Sequence, residues 1–264
     1  MTRIMDNHVG YLVLLPVYTV SIAALKYKGG NKLDIGRAFG FITEDESWIS
    51  KILIGGLLQI IPIVGLIALL GYTFEVARNV AQGRPRPLPD WSNFGDKLVK
   101  GLYGLVISLV YAIPIAILIF ILFFVIALAG AASGDSDAAG GVVALLILCL
   151  YPLLFVVALA VQILVFAAYV RFIQTDSLAT ALRFGEVLGI VRATPGRWVI
   201  VFLVYLLCAL VGGLGSIACG IGALFTLVYS QAAFGHVLGQ IIVQMGGMGA
   251  ANQMPPGYGS RMYQ

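Results

Sequence analysis

Charge is scarce in this chain of 264 residues: 16 Lys and Arg and 12 Asp and Glu make 11% of it, against roughly 25% in an average soluble domain. Five windows, 7–25, 52–74, 101–134, 138–170 and 198–260, contain no charge at all. With 60% hydrophobic residues, a water-soluble surface cannot be built from that distribution, and the chain reads as an integral membrane protein. Cysteine is nearly lacking too: Cys149, Cys208 and Cys219 stand singly, without CxxC or Cys/His spacing, which gives zinc and thioredoxin-type chemistry no support. Cys208 and Cys219 flank one turn, so a disulfide between them is geometrically open, with core packing the simpler reading. Also missing are a Ser/His/Asp set, HExxH, a Walker A loop and paired intramembrane aspartates, so no catalytic residue, metal ligand or cofactor is assigned. Gly213-Leu-Gly-Ser-Ile-Ala218 fits a relaxed dinucleotide fingerprint, but it follows an apolar helix instead of a strand and lacks the acidic residue about twenty positions on.

What is present is a spacing. A hydrocarbon core of about 30 Å takes about 20 helical residues, so the uncharged windows convert into spans. Residues 103–170 form a long hairpin around the small, polar segment Ala131-Ala-Ser-Gly-Asp-Ser-Asp137, with Pro152 a kink in its second arm. Residues 197–243 form another, reversing at Gly212-Gly-Leu-Gly-Ser216, and 48–80 a shorter one around Ile61-Pro-Ile-Val-Gly65. The turns at 61–65, 131–141 and 212–216 carry no Lys or Arg, whereas 77–100 and 171–197 carry nine of the sixteen. The positive-inside rule then places the three bare turns outside, and the basic connections with both ends of the membrane domain in the cytoplasm. The net charge of +4 comes from these clusters at the edges of apolar runs, which argues against nucleic acid as a partner.

Each hairpin is preceded by a short stretch containing Phe-Gly: Arg37-Ala-Phe-Gly40, Asn93-Phe-Gly-Asp96 and Arg183-Phe-Gly-Glu186, with Trp48, Trp91 and Trp198 nearby. The repeat predicts a cytoplasmic-side amphipathic helix at the interface before each transmembrane hairpin. The ends lie outside this pattern. Residues 1–32 are an N-terminal extension holding a short apolar stretch, and Lys28-Gly-Gly-Asn-Lys-Leu33 can be encoded by AAA GGA GGT AAC AAA TTG, a ribosome-binding sequence ahead of a TTG start. Translation is therefore expected to begin at 33, or else 1–32 add a short extra apolar helix. Residues 245–264 read as a flexible cytoplasmic tail, rich in Met but without the Cys or His that a copper site would add.

Polar groups inside hydrocarbon are the first places to look for function. Gln162, Gln231, His236 and Gln240 are the candidates, with His236 and Gln240 four apart on one helical face. They either line a polar path for a solute or proton, or form interhelical hydrogen bonds of about 0.6 kcal/mol each. Glu75 and Arg78, three apart, read as a snorkelled surface pair. Gly212, Ser216 and Gly220, and Gly235 with Gly239, have the small-xxx-small spacing of closely packed membrane helices. Arg78, Arg84, Arg86, Trp91, Lys97, Lys100, Arg183, Arg192 and Arg197 compose a basic cytoplasmic face suited to anionic lipid or to a membrane partner, another protein or a second copy.

Asp34-Ile-Gly-Arg-Ala-Phe39, Trp48, Lys51-Ile-Leu-Ile-Gly-Gly-Leu-Leu58, Ile61-Pro-Ile-Val-Gly65, Gly71-Tyr72, Ala77-Arg-Asn-Val-Ala-Gln-Gly83 and Leu88-Pro-Asp-Trp91 resemble domain-of-unknown-function family 4013 of prokaryotic multi-pass membrane proteins. Arg183-Phe-Gly-Glu186 and Pro195-Gly-Arg197 resemble its later segment. The resemblance covers roughly 34–243, implies a family start near Asp34, and carries no activity with it. The expectation is an all-α integral membrane protein of the cell membrane, with six transmembrane helices in three hairpins. It acts without catalysis as a scaffold or accessory subunit that binds lipid or a membrane partner. The alternative is a small-solute permease or channel-like transporter using Gln231, His236 and Gln240, and a lipid-interface enzyme is a third reading.

Overall fold

The computed structural model describes residues 33–133, 137–217 and 220–248; the extension 1–32, Asp135, Cys219 and with it the disulfide left open above, and the tail from 249 lie outside the described residues. Among the described residues all regular structure is helical. The elements are α1 (Ile35–Gly40), α2 (Trp48–Leu58), α3 (Pro62–Ala81), α4 (Phe94–Ser133), α5 (Asp137–Thr175), α6 (Leu178–Ala181), α7 (Phe184–Ala193), α8 (Pro195–Leu214) and α9 (Ile221–Gln244), with a 3-10 turn at Gly215–Ile217. Five helices have the length and composition to cross a membrane: α3, α4, α5, α8 with its 3-10 turn, and α9. The expected sixth, α2, has 11 residues and rises only about 16 Å.

The helix ends follow local chemistry. Pro62 and Pro195 open α3 and α8, where a missing N–H costs nothing. Gly220 precedes α9 at φ +79°, a left-handed conformation that a side chain would strain. The expected repeat needs correction at its second copy. Asn93-Phe-Gly-Asp96 leads straight into α4, a continuous helix of 40 residues, because nothing between Phe94 and Tyr103 stops it; of the three Phe-Gly stretches, those in α1 and α7 lie in separate short helices. The first arm of the long hairpin thus starts at Phe94, and the second runs to Thr175.

The core lies around α3 and α9. A Cβ on Gly71 would collide with the Lys97 carbonyl, and one on Gly101 with the Ile67 carbonyl, so α3 and α4 cross with their backbones nearly touching. Gly235 and Gly239 do the same for α9 on α3: their Cβ positions lie 2.6 Å from the Thr73 carbonyl oxygen and 2.7 Å from that of Ala77. Small residues at such crossings are what membrane helices need, since lipid is as apolar as leucine and close approach must supply the attraction. Aromatic rings fill the wider gaps: Phe166 lies 4.9 Å from both Tyr205 and Phe234, joining α5, α8 and α9. Trp198, expected at the membrane surface, is fully buried. The tail also begins later than expected, because Met245 and Met248 pack against the core.

Candidate functional site

Two polar assemblies sit within this bundle. The first is built on α9. Gln240 points its amide at the chain entering α1: its Oε1 accepts from the Asp34 N–H and its Nε2 donates to the Asp34 carbonyl, both at 2.8 Å. The same Nε2 is 3.0 Å from His236 Nδ1, one turn earlier, and the His236 ring lies 4.7 Å from that of Phe41. His236 and Gln240 are almost wholly buried. Gln231 lies earlier on the helix and meets Thr73, whose Oγ1 is 3.4 Å from its Oε1. Gln162 is half-buried on α5 and makes no hydrogen bond to this group among the described residues. The four expected residues therefore resolve into a His236–Gln240 clamp on Asp34, an α3–α9 contact at Gln231, and an isolated Gln162.

The second assembly surrounds the loop 82–93. Lys51 donates from Nζ to Asp45 Oδ2 at 2.7 Å and to the Leu88 carbonyl at 3.0 Å, while its own carbonyl accepts from Trp91 Nε1 at 2.8 Å. Trp91 stacks on Tyr72 with centroids 4.7 Å apart, and its edge takes up the space a side chain at Gly55 would need. Lys97, 1% exposed, lies 2.9 Å from Glu75 Oε2 and 6.0 Å from the Trp91 ring centroid. Asn79 Nδ2 donates to the Pro87 carbonyl at 2.9 Å. Trp91 and the Pro87 and Leu88 carbonyls thus fasten the loop onto α2 and α3.

Most of the expected basic face is engaged within the chain. Arg78 pairs with Asp176 at 2.7 Å instead of with Glu75, Arg86 with Glu46 at 2.9 Å, Lys100 with Asp96 at 2.6 Å, and both Arg171 and Arg183 with Glu186. Lys97 is the clearest departure from expectation, since burial leaves it no surface for a lipid headgroup. Arg84, Arg86, Arg183 and Arg192 remain exposed. The carboxylates respond as their partners dictate. The Arg78 guanidinium holds Asp176 below the usual carboxylate range. Arg183, then Arg171, does so for Glu186, and the Ser92 hydroxyl and N–H for Asp90. At Asp45 burial opposes the charge, yet hydrogen bonds from Lys51 and Ser47 outweigh it and the net shift is downward.

Asp34, Phe41, Asp45, Lys51 and Tyr72 were missed by residue-type reasoning. Their partners are distant in sequence, and no spacing rule links Asp34 to Gln240 across 206 positions. Among the described residues no group of three or more His, Cys, Asp or Glu is placed to hold a metal ion. A helical protein with, among the described residues, five apolar helices long enough to cross a membrane is the class these features define. The model of the family described as "Protein of unknown function (DUF4013)" matches residues 54–221, and the chain belongs to that family. No curated protein and no solved structure matches it.

Proposed function

We propose that this protein is a non-catalytic scaffold or accessory subunit of the cell membrane that engages anionic lipid or a membrane partner through its cytoplasmic face. In this reading six helices enter the membrane as three hairpins, α2–α3, α4–α5 and α8–α9, with both ends of the membrane domain on the cytoplasmic side. The basic connections 77–100 and 171–197 support that orientation. The observation that carries the reading is the engagement of the polar stripe. Both amide atoms of Gln240 are committed to the Asp34 backbone, and His236 is held between Gln240 and Phe41. Backbone-to-backbone packing at Gly235 and Gly239 favours a dry seam over a wet path. Contact with lipid or partner then falls to Arg84, Arg86, Arg183 and Arg192, the exposed cations on the loop and α7.

The test is co-purification from native membranes with an exposed-cation variant beside it. A stoichiometric membrane protein or anionic lipid, lost when Arg84, Arg86, Arg183 and Arg192 are changed to Gln, supports the reading. Solute uptake by reconstituted protein that is abolished in His236→Ala while folding is retained replaces it with a permease.

A further inference from the structure

We infer that the α2–α3 hairpin stops inside the bilayer, its tip in contact with acyl chains, while α4–α5 passes through to the opposite surface. This rests on the proposed membrane topology and assigns the lipid tails as what covers the tip. Three observations converge. The hairpin starts at a level wetted by water, because Glu46 and its partner Arg86 are 82% and 65% exposed at the side chain. From Lys51, bound to Asp45 at that level, the chain has ten residues to reach Ile61, a rise of about 15 Å, and the return from Ile61 to Arg78, which pairs with the exposed Asp176, covers about 26 Å although α3 itself runs on to Ala81. Both fall short of a hydrocarbon core of about 30 Å. Finally, the tip is apolar on its outside: Ile60, Ile61 and Ile63 are 62%, 55% and 73% exposed.

A turn resting in water has no reason to present three isoleucines, whereas one surrounded by acyl chains does. Much of the tip's backbone demand is met internally, as membrane depth favours: Gln59, Ile60 and Ile61 donate to the carbonyls of Gly56, Leu57 and Leu58, Gly65 donates to that of Ile61, and Gln59 Nε2 donates to that of Gly65. The contrast with the longer hairpin is chemical as well as metric. Between Lys100 and Asp135 lie 34 uncharged residues, of which 101–133 are helical and rise about 50 Å, and the segment joining its arms reads Ser133-Gly-Asp-Ser-Asp137. A helix pair confined to one side adds cross-section to that leaflet and leaves the opposite leaflet to close over it.

The test is thiol accessibility in a full-length chain with Cys149, Cys208 and Cys219 changed to Ala, in membranes permeabilised so that a charged maleimide reaches both faces. Ser133→Cys should label readily and Ile61→Cys at least about tenfold more slowly, since neither thiolate nor charged reagent enters hydrocarbon at low cost. Ile63→Cys repeats the measurement if Ile61→Cys fails to assemble. A bimane on the same cysteine should then be quenched most by lipids carrying a nitroxide near the chain terminus. Equal labelling at Ile61 and Ser133 would overturn the inference, as would a protected bimane that no nitroxide lipid quenches, because protein would then cover the tip. Either result leaves the scaffold reading standing, which is decided separately by co-purification and uptake.

Discussion

The α3–α9 seam and the α4–α5 arm are both apolar helix pairs, yet they are built in opposite ways. Along the seam, α9 is buried from Ala232 to Ile242, and the residues turned inward include Ser230, Gly235, His236, Gly239 and Gln240, with Thr73 and Asn79 on α3. Along the arm the bulky residues face out: Phe120, Phe123, Phe124 and Leu128 are all exposed. Small and polar groups make the closest contacts of the seam, while large hydrophobes cover the outside of the arm. In lipid this is the stable order, because a leucine gains little by moving from acyl chains to protein, while a glycine crossing or a paired amide gains close contact or a hydrogen bond.

That contrast can be broken from either side. The largest effect is expected from bulk at a crossing: Gly101→Leu drives a side chain into the Ile67 carbonyl, where overpacking costs about 3 kcal/mol or more and should abolish a monodisperse detergent-solubilised species. Gly141→Leu on the arm, where a Cβ meets nothing within 4 Å, should leave elution and melting unchanged. Next comes Lys97→Met, which strands the Glu75 carboxylate beside a buried site and should cost about 3 kcal/mol in thermal melting. Adding Glu75→Gln should restore a large part of that loss. Gln240→Leu removes both bonds to Asp34 and leaves its N–H unmatched, while its carbonyl keeps the Ala38 N–H, so about 1 kcal/mol should be lost, with amide exchange at Asp34 accelerated first.

Acid should act on the loop side more gently. Asp45, Asp90, Asp176 and Glu186 are all held below their ordinary values in the fold. Their contribution is therefore complete above the ordinary carboxylate range of about 4, and is lost as pH falls below it through the lowered folded values. A melting temperature flat from neutral pH to about 5 that declines below about 4 is the expected profile, shifted in Asp45→Asn. Smallest of all is Phe123→Ala on the arm, expected within about 0.5 kcal/mol in the membrane because lipid fills the space it leaves.

The helical class and the positions of the long helices were legible because hydrocarbon thickness is a length and charge marks its edges. The glycine pair on α9 was legible for a similar reason: close crossing demands small residues at helical spacing. Other features were not. Lys97 and Lys100 look alike in sequence, three residues apart at the foot of one apolar window, but helical rotation turns Lys97 inward to Glu75 and leaves Lys100 beside Asp96 on the surface. Arg78 was paired with Glu75 by spacing, whereas tertiary packing brings Asp176 to it from the end of α5. His236 and Gln240 were rightly seen to share a face, but what that face meets is the backbone of α1, which no local pattern encodes.

The clamp between Gln240 and Asp34 joins groups 206 positions apart. Synthesis at about 5 to 20 residues per second puts about 10 to 40 s between the emergence of one and the other. During that interval α1 has no seat, and the seam on α3 lacks its partner. The bond closes only when α9 arrives, so a chain cut short before Gln240 presents an open glycine seam and a loose α1.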